Sequence, residues 1–169
     1  MKWVAISGTW KVANKKVEED VRKAIRSIIS TGGGVVTGGA LNVDYFATDE
    51  FLKIEPTCKR IKIFLPTTLD VYASHYRKRS EEGVITKAQA EELIKQLKKI
   101  KSINPKALIE NPLTTKVDKT TYFERNNEVI RAADELIAFR VNKSEGVSDA
   151  IAKAKKSNIP TKVFDYSIM

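Results

Sequence analysis

An α/β fold, a parallel sheet of about five strands with helices on both faces, is what this sequence predicts. Three observations carry that expectation. Short apolar runs alternate along the chain with longer amphipathic ones. Several of the short runs end in glycine followed by a helix-like segment. The short runs are apolar at nearly every position, the pattern of strands buried on both faces. A length of 169 residues fits one domain spanning residues 1–169. The composition, 42% hydrophobic and 30% charged, is that of a soluble globule, and no apolar run approaches the roughly 20 residues a bilayer requires. No membrane partner is expected.

The elements follow in order. Lys2–Gly8 reads as the first strand, and Val17–Ser30 as a helix with Val17, Val21, Ala24, Ile25, Ile28 and Ile29 on one face. Val35–Thr37 is a second strand running into Gly38 and Gly39, with a helix over Asn42–Lys53. Arg60–Leu65 is a third strand, closed by Pro66. The stretch 67–113 breaks the rhythm and reads as a helical insertion. It holds the basic run Arg77-Lys78-Arg79 and a helix over Thr86–Ile103 whose Thr86 and Gln89 have capping-box spacing. The apolar stripe of that helix, Ala90, Leu93, Ile94, Leu97 and Ile100, suits a seam against the core or a second subunit. Alternation resumes with a helix over Thr121–Ala133, a strand over Glu135–Phe139, a helix over Val147–Ser157 and a strand over Thr161–Phe164. Right-handed crossovers make this a Rossmann-like sheet of order 3-2-1-4-5, with ligands expected at the carboxyl ends of its strands.

Three loops converge on that edge: Ser7-Gly8-Thr9-Trp10, Thr37-Gly38-Gly39-Ala40 and Lys143-Ser144-Glu145-Gly146-Val147-Ser148. Each precedes a helix. Glycine lets backbone approach a phosphate, and the free amides of a helix start favour an anion. A net charge of +9 draws polyanions to the chain. Neither the Gly-x-Gly-x-x-Gly fingerprint nor a P-loop is present, nor is a Gly-x-Ser-x-Gly elbow. The lone His75 lies in the inserted region, where a structural or surface role is expected. Cys58 has no partner for an internal disulfide, and no cluster has metal-ligand spacing. With no secretory signal in the opening residues, a cytoplasmic address is expected.

The run Val35-Val36-Thr37-Gly38-Gly39-Ala40-Leu41-Asn42-Val43-Asp44 resembles the strand-Gly-Gly-Ala-x-x-x-Asp element of the DNA-processing protein A (Smf) family, within the SLOG group of Rossmann domains. A second block is similar to that family's later motifs: Phe123-Glu124-Arg125-Asn126-Asn127-Glu128-Val129-Ile130, then Asp134 to Ala138, then Ser144 to Ile151. Ser7-Gly8-Thr9 is a third match. The resemblance implies a domain that binds nucleotides or single-stranded DNA with these loops, often as a homodimer. By position it marks Gly38, Gly39, Asp44, Arg125, Asn126, Ser144 and Gly146 as site residues, joined by Ser7, Gly8, Thr9, Val147 and Ser148. Arg125 offers a planar charged fork for phosphate, or else a surface ion pair with Glu124 or Glu128. Asp44 would bond a ribose hydroxyl or stabilise the start of its helix. Trp10 and Thr48 depart from the family pattern, which carries Arg and His there.

Three functions remain in play. The first is binding of a nucleotide phosphate or single-stranded nucleic acid without chemistry and without a required cofactor, with Trp10, Tyr72 and Tyr76 available for base stacking. The second follows from a more distant similarity to the Lonely-Guy nucleoside monophosphate phosphoribohydrolases. There Arg125 fits the family's arginine, but the catalytic glutamate position falls on Ala150 and leaves Asp149 one residue early. The third is a sensor of a nucleotide-derived signal.

Overall fold

The computed structural model describes all 169 residues. Six strands form one parallel sheet: β1 (Trp3–Gly8), β2 (Gly34–Thr37), β3 (Ile61–Phe64), β4 (Leu108–Ile109), β5 (Glu135–Val141) and β6 (Thr161–Tyr166). Their spatial order is β4-β3-β2-β1-β5-β6. The five strands legible in the sequence take the expected relative order, with β5 and β6 in the fourth and fifth places. The sixth, β4, adds outside β3, pairing Ile63 with Leu108 and Phe64 with Ile109. That corrects both the strand count and the reading of residues 67–113 as an insertion. The stretch is the crossover from β3 to β4, made of α3 (Leu69–Glu81), α4 (Lys87–Ile103) and a short 3-10 turn at Pro105–Ala107. Two paired residues show no period, so β4 leaves no trace in the sequence pattern.

The other helices are α1 (Lys15–Ser30), α2 (Val43–Ile54), α5 (Lys119–Arg131) and α6 (Glu145–Lys156). Their starts are chemically marked. Asn14 accepts from the Val17 amide at 3.0 Å to cap α1. Thr86 and Gln89 form the expected reciprocal box on α4, at 3.1 and 2.9 Å. No helix is long and apolar enough to cross a membrane.

Strand alternation sorts the core into two unequal layers. Val4, Ile6, Val35, Ile61, Ile63, Leu108, Phe139 and Val141 point to one face, under α1, α2 and the α3–α4 pair, in a cluster of 28 buried residues. Ala5, Val36, Leu136 and Ala138 point to the other, under α5 and α6 alone, in a cluster of nine. The five stripe residues of α4 are all buried, Ala90, Leu93, Leu97 and Ile100 within the larger cluster, so its seam is against the core. With two helices spanning six strands, the smaller layer leaves the β3–β4 corner open beside α5. A matching gap lies over β5–β6 beside α1, on the other face, where Ile137 and Phe164 are only partly covered.

Candidate functional site

β1 runs to α1 and β2 on one side, while β5 runs through α6 to β6 on the other. The crossovers thus diverge between the carboxyl ends of β1 and β5, the place where open α/β sheets bind ligands. Two hydroxyls bridge it: Thr9 Oγ1 lies 2.8 Å from Ser144 Oγ. Thr9 also accepts the Val141 amide at 2.9 Å and is 5% exposed, so it ties the first loop to the third rather than facing solvent. Ser7 is half-buried on the last turn of β1. Ser148 donates to the Ser144 carbonyl at 2.8 Å and accepts from Arg140 at 3.2 Å.

The start of α6 is open. Ser144 caps no amide with its side chain, and the amides of Glu145, Gly146 and Val147 meet no acceptor in the chain. Glu145 and Gly146 are exposed, Val147 is buried beneath them, and Lys11, Lys119 and Lys143 lie exposed on the surrounding loops and helix ends. Lys119 bridges to Glu145 at 2.7 Å and, with Lys11, draws its carboxyl below the usual glutamate range. Trp10 is half-buried with Lys11 over its ring at 5.6 Å.

The Gly38–Gly39 loop is built differently. Both glycines are buried, and Gly39 turns the chain at a positive φ of 68°. The Arg125 guanidinium lies on Gly38 and donates to its carbonyl, and Tyr72 Oη donates to the Gly39 carbonyl at 2.9 Å. A Cβ on Gly38 would stand 2.5 Å from the Arg125 Cζ, so only glycine admits this approach. Asp44 closes the loop from below, its Oδ2 accepting the Ala40 amide at 3.1 Å. Its Oδ1 is buried without a partner. Burial pushes the Asp44 carboxyl up to about 6, against the pull of Arg125 and the loop amides. At 4% exposure this carboxylate is turned into the loop, whose Ala40 amide it accepts.

Helix α5 braces both loops. Arg125 holds Gly38, while the next residue, Asn126, donates to the Gly146 carbonyl at 3.1 Å and to Asp149 at 3.0 Å. Arg125 pairs with neither Glu124 nor Glu128; Glu128 bonds Arg131 instead, at 2.6 Å. Asp149 also receives Lys153 at 2.6 Å, so its carboxylate is committed to holding α6 against α5. The presentation of α5 depends on its cap, where Asp118 and Thr121 exchange bonds of 2.9 Å each. Asp118→Ala should lower stability by about 1 kcal/mol in urea unfolding.

Sequence reasoning missed two supports. Tyr122 stacks under Arg125, 5.3 Å from ring centroid to Cζ, and Lys153 pairs with Asp149. Spacings of three and four on a helix would have found both. Tyr72 and Tyr76, read as stacking candidates, are 1% and 2% exposed and belong to the core. Their hydroxyls lie 3.4 Å apart, and burial raises both phenols. His75, 3.4 Å from the Tyr122 hydroxyl, is held below the usual imidazole value by burial and Arg79. No group of three or more His, Cys, Asp or Glu side chains is placed to hold a metal.

The fold is that of a Rossmann-like domain whose glycine loops gather at a switch point. Among solved structures it is shared with DNA processing protein A from Helicobacter pylori, described by its single-stranded DNA binding mode. The match has a TM-score of 0.67 at 22% identity, covering 96% of this chain and 64% of that one. It is also shared with TM1055, a structural-genomics target (TM-score 0.57, 15% identity, 95% of this chain and 72% of that one). A third similar structure is the molybdenum cofactor carrier protein of Chlamydomonas reinhardtii (TM-score 0.56, 16% identity, 96% and 76%). No family model matches the chain. No curated protein matches it either.

Proposed function

We propose that this chain binds the phosphate of a nucleotide or of single-stranded nucleic acid at the β1–β5 switch point, without hydrolysing it. The observation that carries the reading is the open start of α6, where three unpartnered amides stand beside the Asn126–Gly146 tie and lysines on the neighbouring loops. A helix dipole and free amides there attract an anion. Arg125, next to Asn126 on α5, supplies a guanidinium on the β2 side of the gap. The structure of Helicobacter pylori DNA processing protein A, which binds single-stranded DNA, supports the reading through its shared fold. Acid–base work is disfavoured because Asp149 is engaged by both Lys153 and Asn126.

The test is thermal unfolding of the purified protein against nucleoside mono-, di- and triphosphates and short single-stranded DNA at two salt concentrations. A bound ligand stabilises the native state by mass action, by about 2.7 kcal/mol at a hundredfold excess over Kd, and the midpoint rises with it. Arg125→Ala should weaken binding roughly tenfold to a hundredfold, the worth of a charge-assisted hydrogen bond. Affinity for DNA should fall steeply with salt. No stabilisation by any phosphate-bearing ligand would sink the reading.

A further inference from the structure

The open corner of the smaller layer is a cleft of about 420 Å³ between α5 and the carboxyl ends of β3 and β4. That volume suits a small planar ligand. Its floor is apolar, made by Phe64, Ile109 and Pro66, with Phe64 and Ile109 paired across the strands and partly exposed. Its wall is the outward stripe of α5, where Glu124 and Asn127 stand over the floor and Arg125 marks the end nearest the Gly38 loop.

The polar groups of this cleft are unequal. Glu110 is spent on the Leu69 amide at 2.7 Å and Lys101 at 3.0 Å. Glu128 is spent on Arg131. Glu124 has neither an ion pair nor a hydrogen bond, and Asn127 has no side-chain partner. An apolar shelf with one free carboxylate and one free amide above it offers stacking area, an acceptor for N–H groups and a donor–acceptor pair. The carboxylates make the cleft a poor place for phosphate, which belongs at its Arg125 end.

The geometry points to a nucleobase site in this cleft, taking a base that bears an exocyclic amino group, its ring on Phe64 and its amino edge on Glu124. This rests on the phosphate reading above and extends it to ligand length. Strands lie about 4.8 Å apart, so the β3–β4 cleft is displaced from the β1–β5 gap by three spacings, roughly 14 Å. Two adjacent nucleotides span that separation better than one. The favoured ligand is therefore a single-stranded oligonucleotide, with one phosphate at the start of α6 and a neighbouring base over β3.

The experiment is a titration of labelled hexadeoxycytidylate and hexathymidylate into wild type, Phe64→Ala, Glu124→Gln and Arg125→Ala at fixed low salt. Phe64 is partly exposed and Glu124 lies on a helix surface, so both variants keep the fold, which thermal melting verifies. Wild type should prefer the cytosine ligand, because a carboxylate accepts from its exocyclic amino group, where thymine carries a carbonyl oxygen that the carboxylate repels. Phe64→Ala should weaken both ligands about tenfold, the effect of losing one stacking platform. Glu124→Gln should erase the cytosine preference while leaving thymine binding equal or tighter, since a repelling charge is gone. Unchanged affinity and preference in both variants, with binding still lost in Arg125→Ala, would overturn the base site and leave the phosphate site standing. Absence of binding to wild type would overturn both.

Discussion

Gly8→Ala is expected to cost on the order of 3 kcal/mol, at the upper end of what overpacking exacts. A Cβ at this position would overlap the Cβ and both γ-methyls of Val43, the fully buried first residue of α2. Neither side can yield. Val43 is β-branched and stiff about χ1, and Gly8 is fixed in the central strand by pairing with Phe139 of β5. Asn42, at the entry to α2, is already held at a positive φ of 61°, its amide donating to the Trp10 carbonyl at 2.5 Å. Shifting α2 would break that bond. Urea unfolding of Gly8→Ala, Val43→Gly and the double variant measures the clash: because the Val43 Cβ itself overlaps the new methyl, only its removal clears the contact, and the double should lose clearly less than the two single losses added. Additive losses would show that the glycine serves another purpose.

The second large effect is a dependence on pH. Asp44 has an ordinary carboxyl value of 3.8 in the unfolded chain and about 6 in the folded one, because burial penalises its charge. Between those values the native state holds a proton that the unfolded state has released. This group's contribution therefore falls as pH rises from about 4 to 6, and above 6 the full penalty of roughly 3 kcal/mol applies. Asp44→Asn removes the buried charge while keeping an acceptor for the Ala40 amide. Stability of the variant relative to wild type should grow across that window and level off near neutrality. The partly buried Arg125 loses a counter-charge in the exchange, which subtracts from the gain without changing its pH course. A wild-type-minus-variant difference that is flat with pH would mean that Asp44 is solvated in the native state.

Five strands and the glycine loops were legible because their signals are local: apolar runs, helical spacing and turn residues. What escaped is instructive. Helix α3 buries Leu69, Tyr72, Ala73 and Tyr76, a face made half of tyrosines and followed by Arg77-Lys78-Arg79, so its pattern reads as basic and irregular. Only the contact between Tyr72 and Gly39 shows that this helix roofs the second glycine loop. The same contact separates the candidate residues. Sequence places all three loops at one edge, but cannot show that Gly38 and Gly39 are sealed by Arg125 and α3 while Gly146 is open. Whether a glycine serves packing or a ligand depends on residues far away in the chain.

The placement of β1 bears on how the chain is made. It is the first strand in sequence, yet it sits inside the sheet, with β2 on one edge and β5 on the other. Val4 pairs with Val35 early, but its other partner is Glu135. At 5–20 residues per second the ribosome needs roughly 7 to 26 s to extend the chain from Val4 to Glu135. Through that interval the β1-to-β3 unit can close over α1 and α2 while its inner edge, Val4 to Gly8, remains a bare row of amides and carbonyls. The nascent chain is therefore exposed to strand-on-strand pairing with its neighbours until β5 emerges.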